Sequence, residues 1–364
     1  MSRHFDALRT TIVPLAPQHR NPLAQAWLAS AEAALGVRTV ADFGREPALG
    51  NAAGFFSVAY DAATNTRSSA SAAYLHPILT GREPRPNLVV LTHARVVRLN
   101  LAGGRGASVT LRLREGRAVV RARREIVLCA GAIDTPRLLL LSGIGARAPL
   151  ARLGIALQHA LPGVGANLRD HAETLVMYAL RAPPPAATAM HSDVGLFLGG
   201  DARVMLHTLQ LPFGEHAARL GYAAPAHAFC MTPNVPRPRS RGRLYLTSAD
   251  PDVPPALDFA YLSDAADEDA AVLVAGIRAA RRIAKEPPFS EYVLEEVAPG
   301  EELQSDAELK EYARRVAHTV YHPAGTTKMG DGEDAVVDAQ LRLRGVDGVR
   351  IADAGVFPTM ISVK

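Results

Sequence analysis

The sequence predicts an α/β (α+β) chain on three observations: one strongly periodic helix near the start, a cluster of short β-rich runs before residue 128, and two more helices after residue 264. The first helix runs from Asn21 to Gly36. Asn21 suits the cap, Pro22 the first helical position, Leu23, Trp27, Leu28 and Leu35 recur at helical spacing, and Gly36 stops it. Residues 88–91, 96–99, 109–113 and 119–128 are β-rich runs divided by turns at Gly103-Gly104 and Glu115-Gly116, which predicts a meander of strands. After Cys129 small residues lead into a helix expected to open at Pro136. Residues 183–185 and 233–242 read as Pro-rich loops, the second entering a strand at 244–246. Helical spacing returns over 264–285, with acids in the first turn, Arg281, Arg282 and Lys285 in the last, and Pro287-Pro288 as a stop. Ser305 and Glu308 form a capping box ahead of the final helix.

At 364 residues and 48% apolar side chains, the chain can bury one large core or two ordinary ones. The net charge of +4 comes with only four lysines, Lys285, Lys310, Lys328 and Lys364, and the basic residues are scattered, so no phosphate-binding stripe argues for nucleic acid. Cys129 and Cys230 make no disulfide framework and carry no metal-ligand spacing. No apolar stretch is long enough to cross a bilayer, and residues 1–11 lack the apolar run of a secretory leader. The expectation is a soluble, cytoplasmic protein with no bound metal and no membrane span.

The most specific stretch begins at Cys129, where a strand ends in Ala130-Gly131-Ala132 before the helix. Residues with little or no side chain admit a ligand close to the backbone, and helix N-terminal amides suit an anion or a polar cofactor edge. Composition alone fits an ordinary strand-to-helix connection equally well. The pattern Gly131-Ala132, Thr135-Pro136, Ser142-Gly143-Ile144-Gly145 resembles the second signature of the glucose-methanol-choline oxidoreductase family. Further blocks agree in order: residues 67–75, Pro162-Gly-Val-Gly with Asn167-Leu168 and Asp170-His171, Tyr321-His-Pro-Ala-Gly-Thr-Thr-Lys-Met-Gly330, and residues 349–359. Within the family the likeness is to choline oxidases and related dehydrogenases, through residues 132–136, 232–235, 274–278 and 319–323.

The resemblance implies FAD as hydride acceptor, a small alcohol of choline type as substrate, and His322 as the acid-base group at the alcohol oxygen, a task imidazole suits near neutral pH. It implies Val96, Ala130, Gly131, Asp353 and Ala354 at the flavin, and Tyr321 beside the substrate. Tyr321 reads equally as a buried structural tyrosine. The family's second His or Asn aligns with Lys364, a departure read as a product of truncation. Asp193 stands where choline-oxidising relatives carry a glutamate and would pair with a cationic alcohol; a solvated loop aspartate fits the same residue. No Gly-x-Gly-x-x-Gly dinucleotide turn occurs, so the expected fold is an incomplete flavin-binding domain interleaved with an antiparallel-sheet substrate domain. The expected division is 1–75 linker and part of the substrate domain, 76–155 flavin domain, 156–320 substrate domain, and 321–364 the C-terminal flavin part with the catalytic histidine. Two alternatives stand beside the enzyme: a non-catalytic fragment that needs a complementing chain or homodimer partner to hold FAD, and a flavin-containing hydroxynitrile lyase.

Overall fold

The computed structural model describes residues 7–46, 49–61, 66–186, 193–200, 203–210 and 215–361. Helix α1 (Pro22–Leu35) begins and ends on the expected signals. The Asn21 side chain accepts from Leu23 N at 2.8 Å, and Gly36 closes the helix at φ 65°. Its Leu23, Ala24, Trp27 and Ala31 are buried against the main sheet, whose first long strand is β1 (Ala52–Phe55).

The meander holds three antiparallel strands, β2 (Arg95–Ala102), β3 (Arg105–Leu113) and β4 (Gly116–Arg121). Two expectations fail here. Residues 88–91 form no strand and their side chains are exposed, because β propensity without a neighbouring strand leaves the backbone unpaired. The run 119–128 breaks at residues 122–125, and β5 (Ile126–Leu128) leaves the meander for another partner. Helix α2 (Gly131–Leu141) starts five residues before Pro136 and carries that proline inside. Proline cannot supply the N–H that would bond the carbonyl four residues back, at Ala132. The Thr326 hydroxyl, remote in sequence, donates to Ala132 O at 2.5 Å in its place.

Strands β6 (Ala172–Glu173), β7 (Val176–Leu180), β8 (Val194–Leu198), β9 (Val204–Leu209), β10 (Ala228–Asn234), β11 (Val293–Ala298) and β12 (His318–Thr319) join β1 and the short strand Arg38–Thr39 in a nine-stranded sheet. From one edge the order is Arg38–Thr39, β1, β8, β9, β10, β6, β12, while β7 continues along β10 and pairs with β11. All pairings but the one between Arg38–Thr39 and β1 are antiparallel. Strand β10 runs through Pro233 and Asn234, assigned to a loop from sequence. The neighbouring chain uses the proline's carbonyl, Thr174 N donating to Pro233 O at 2.9 Å.

Helix α3 (Glu268–Lys285) starts four residues later than expected, and the Asp264 carboxylate caps it by accepting from Glu268 N and Asp269 N. Helix α4 (Asp306–Val316) carries the capping box of Ser305 and Glu308. These helices and α1 bury one face of the sheet, with Trp27, Leu206, Phe229, Ile277 and Leu309 in a common core. Strand β13 (Val349–Ile351) pairs in parallel with β5, and a second core gathers Leu99, Leu139, Ile144, Leu161, Val349 and Ile351. Among the described residues no helix is long and apolar enough to cross a membrane.

Candidate active site

The turn after β5 is held from the far end of the chain. Gly131 adopts φ 86°, a region that penalises any side chain, and the space where a Cβ would stand is open. Asp353, just past β13, accepts from Gly131 N (3.0 Å) and the Thr135 hydroxyl (2.6 Å) through Oδ2, and from Gly355 N (2.8 Å) through Oδ1. The first amide of α2 thus faces the protein's own carboxylate. Alongside lies a cleft of about 230 Å³ lined by Arg95, Val96, Val97, Ala130, Arg137 and Leu138 among others. Arg137 spends its terminal nitrogens on Asp134 and the carbonyls of Pro251 and Val253, while its buried Nε has no hydrogen-bond partner. A buried donor left over at a cleft wall suits a polar ligand edge.

A second centre forms where residues 169–173 run antiparallel to 318–324. Arg169 and Ala324 exchange both backbone hydrogen bonds, Val320 N donates to His171 O at 3.3 Å, and Glu173 pairs with His318. Between these rungs the second strand bulges. Tyr321 takes φ 64°, uncommon for an aromatic residue, and its N–H turns to the Thr319 hydroxyl at 2.7 Å. The Asp170 carboxylate accepts from His322 N at 3.0 Å and from the Tyr261 hydroxyl at 2.6 Å. Burial, and then the charge of Asp170, pushes the Tyr261 phenol well up from its ordinary value, so it remains a donor.

The bulge delivers His322 Nδ1 to within 3.0 Å of His171 Nδ1. His171 Nε2 lies 3.1 Å from Pro236 O and 3.0 Å from Ile361 O. Carbonyls only accept, so Nε2 of His171 carries the hydrogen and, in the neutral ring, Nδ1 holds the lone pair. His322 must then donate from Nδ1, which leaves its own lone pair on Nε2. The segment after His322 reaches the first centre directly, since Thr326 binds Ala132 O, Gly325 N binds Ala354 O and Thr327 N binds Gly355 O.

Beside the histidine pair sits a cluster the sequence did not announce. Glu173 Oε2 lies 2.8 Å from His207 Nε2, and Oε1 lies 2.9 Å from His318 Nε2, with all three side chains at most 10% exposed. Burial drives the carboxyl upward, but the charge and hydrogen bond of His207, with those of His318, outweigh it and hold Glu173 at about 2. Asn234 stands opposite Glu173, fully buried, and neither polar atom of its side chain has a hydrogen-bond partner.

Two family models, both described as GMC oxidoreductase, match residues 6–173 and 238–364. Choline oxidase of Arthrobacter globiformis is 39% identical over 323 residues, covering 86% of this chain and 58% of that protein. The oxygen-dependent choline dehydrogenase of Stenotrophomonas maltophilia (strain K279a) is 35% identical over 323 residues, covering 81% and 57%. The chain belongs to the GMC oxidoreductase family. It therefore spans less than two thirds of the length of these relatives. The crystal structure of pyridoxine 4-oxidase from Mesorbium loti superposes with a TM-score of 0.87 at 28% identity, over 98% of this chain and 69% of that one. A formate oxidase structure, at 21% identity and a TM-score of 0.83, shares the fold.

Of the residues expected from the family resemblance, Val96 and Ala130 line one cleft, with Gly131 next along the chain and Asp353 bonded to it. Ala354 sits behind Gly325. His322 lies at the second centre. Tyr321 is 73% exposed, which overturns the buried structural alternative. Asp193 is 1% exposed at the start of β8, where Gln210 Nε2 donates to its Oδ1 at 2.9 Å, so it is no solvated loop residue. Lys364 lies outside the described residues. Sequence reasoning missed Glu173, His207, His318, Arg137 and Thr326. The usable signal was a titratable residue inside a mostly apolar run, as His207 is within Val204–Leu209.

Proposed function

We propose that the protein binds FAD and oxidises a small primary alcohol of choline type to the aldehyde, with His322 at the substrate oxygen. The observation that carries this reading is the hydrogen-bond chain from the Pro236 and Ile361 carbonyls through His171 to His322. It fixes which nitrogen of His322 is basic before any substrate arrives. A preset tautomer is what a proton acceptor requires. His322 Nε2 takes the hydroxyl proton, and His171 holds the ring in place from the other side.

The cleft lined by Val96, Ala130 and Arg137 would hold one end of FAD, with Gly131, Asp353 and Ala354 framing the backbone near its middle. Its open space beside Gly131 and its orphaned Arg137 donor fit such a group. Bound there, FAD supplies the acceptor for the hydride released by the alcohol carbon. Asp193, buried and steadied by Gln210, would pair with the cationic head of the substrate. Tyr321 would lie beside the substrate, exposed on its bulge. Lys364 falls at the family's second His or Asn, without that residue's chemistry. In this reading residues 76–155 and 321–364 serve the flavin, and residues 1–75 and 156–320 the substrate. The two thiols, with no disulfide, suit a cytoplasmic protein.

A second reading has its own observation. Val89, Leu91, Val119, Val120 and Val127 are exposed around the meander and β5, an apolar surface that suits a complementing chain. In that case the chain alone would not retain FAD. The deciding experiment mixes purified chain with FAD, follows visible absorbance, and adds choline without oxygen. Retained flavin that bleaches supports the oxidation reading. Folded protein that retains no flavin overturns it for this chain alone, and retained flavin that cleaves a cyanohydrin without bleaching points to a lyase.

A further inference from the structure

Two consecutive amides leave the strand at the bulge, and both end on side chains. Tyr321 N donates to the Thr319 hydroxyl at 2.7 Å, and His322 N to Asp170 Oδ1 at 3.0 Å. With φ 64° at Tyr321, this backbone is of a kind that persists only where its surroundings over-determine it. Asp170 is 3% exposed, and its second oxygen accepts from the Tyr261 hydroxyl at 2.6 Å. Tyr261 is itself seated in a strained turn. Its chain neighbours Ala260 and Leu262 take φ 48° and 54°, left-handed values that cost energy in residues other than glycine. Asp258 caps the turn by accepting from Ala260 N at 3.2 Å, Leu262 is buried in one cluster with Ala172 and Val235, and the Tyr261 ring stacks on Phe259 at 5.1 Å. Two strained turns thus meet across one buried carboxylate.

We propose that Asp170, aimed by the Tyr261 hydroxyl, is the positioning residue for His322. It takes the histidine's own main-chain N–H and so fixes the point from which the imidazole leaves the backbone. A carboxylate held through one oxygen can turn about its Cβ–Cγ bond, whereas here Tyr261 engages the other oxygen and stops that rotation. His171, the next residue along the same chain segment, meets the His322 ring at 3.0 Å. The backbone and the ring of His322 are therefore both referenced to two adjacent residues, Asp170 and His171. Loss of the first reference lets the bulge relax and opens the contact between the imidazoles. Displacements of about 1 Å in a reacting group cost on the order of a hundredfold in rate.

The role in catalysis rests on the proposed oxidation, so the test has one arm that needs no flavin. In the full-length chain, the hydrogen-bonded imidazole proton between His171 and His322 is followed by NMR. We expect it to be lost or markedly shifted in Asp170→Ala and kept in Asp170→Asn, because the amide side chain still offers His322 N an acceptor of the same reach. Tyr261→Phe, which retains the stacked ring and frees the carboxylate to turn, should shift the signal as well and serves if Asp170→Ala does not fold. An unchanged signal in folded Asp170→Ala or Tyr261→Phe would overturn the positioning role whatever the enzyme does. Asp170→Asn behaving like Asp170→Ala would overturn it too, since the negative charge and not the placement would then be what matters. With active enzyme, kcat per bound flavin should fall at least about tenfold in Tyr261→Phe with KM nearly constant, and Asp170→Asn should keep most of it. An inactive wild type with the NMR results as expected would remove the oxidation reading and leave the positioning role standing.

Discussion

The two centres of the site are built on opposite terms. The turn around Gly131 lies at the surface, open on the side of Val96 and Cys129, and is held by one carboxylate, Asp353. The histidine centre is enclosed in the nine-stranded sheet, where Glu173, His207, His318 and Asp193 are all buried and partnered. A binding surface for a large group can stay open, because the ligand itself completes it. A proton-handling group must be fixed beforehand, since its tautomer decides what it does. The contrast predicts that substitutions in the enclosed half cost stability, while those at the open turn cost little until a ligand is present.

The largest effect is expected deep in the sheet. Phe229 is fully buried and packs its ring 4.7 Å from that of Phe289, so Phe229→Ala should lose about 3–5 kcal/mol in denaturant unfolding. A loss near zero would mean that the sheet core does not carry the fold. Next comes Glu173. Its folded pKa of about 2 lies below the ordinary value of 4.5, so the unfolded chain binds the proton more readily. Its contribution, on the order of 3 kcal/mol, is therefore present above pH 4.5 and is lost as pH falls toward 2. The difference between wild type and Glu173→Gln should shrink across that window, and a difference independent of pH would refute the buried carboxylate.

At the junction of the two halves, Thr326→Val strands the Ala132 carbonyl beside Pro136 and should cost about 1–3 kcal/mol, with Thr326→Ser retaining most of the stability. The smallest effect belongs to the open half. Val96→Ala should change stability by less than about 0.5 kcal/mol, because the side chain is already 37% exposed, while weakening FAD retention in a titration.

The open half was the more legible in sequence, and the reason is distance along the chain. Its strand, turn and helix are contiguous, so the small residues at 130–132 and the family blocks could be read together. The same locality made α1 and the Ser305–Glu308 capping box readable from their own residues. Where a remote residue intervened, local rules failed. Pro136 looked like a helix start until Thr326 supplied the missing donor, and Asp193 looked solvated until strand pairing buried it. Glu173, His207 and His318 come from three strands, and their meeting follows from sheet order, which no local pattern encodes.

The most direct test of the central claim is the protonation pattern of the two facing imidazoles, read from long-range proton–nitrogen correlations in the full-length chain near neutral pH. The account predicts hydrogen on Nε2 of His171 and on Nδ1 of His322, leaving Nε2 of His322 as the acceptor. Hydrogen on Nε2 of His322 with none on Nδ1 would contradict it, for Nε2 could then not take the alcohol's proton.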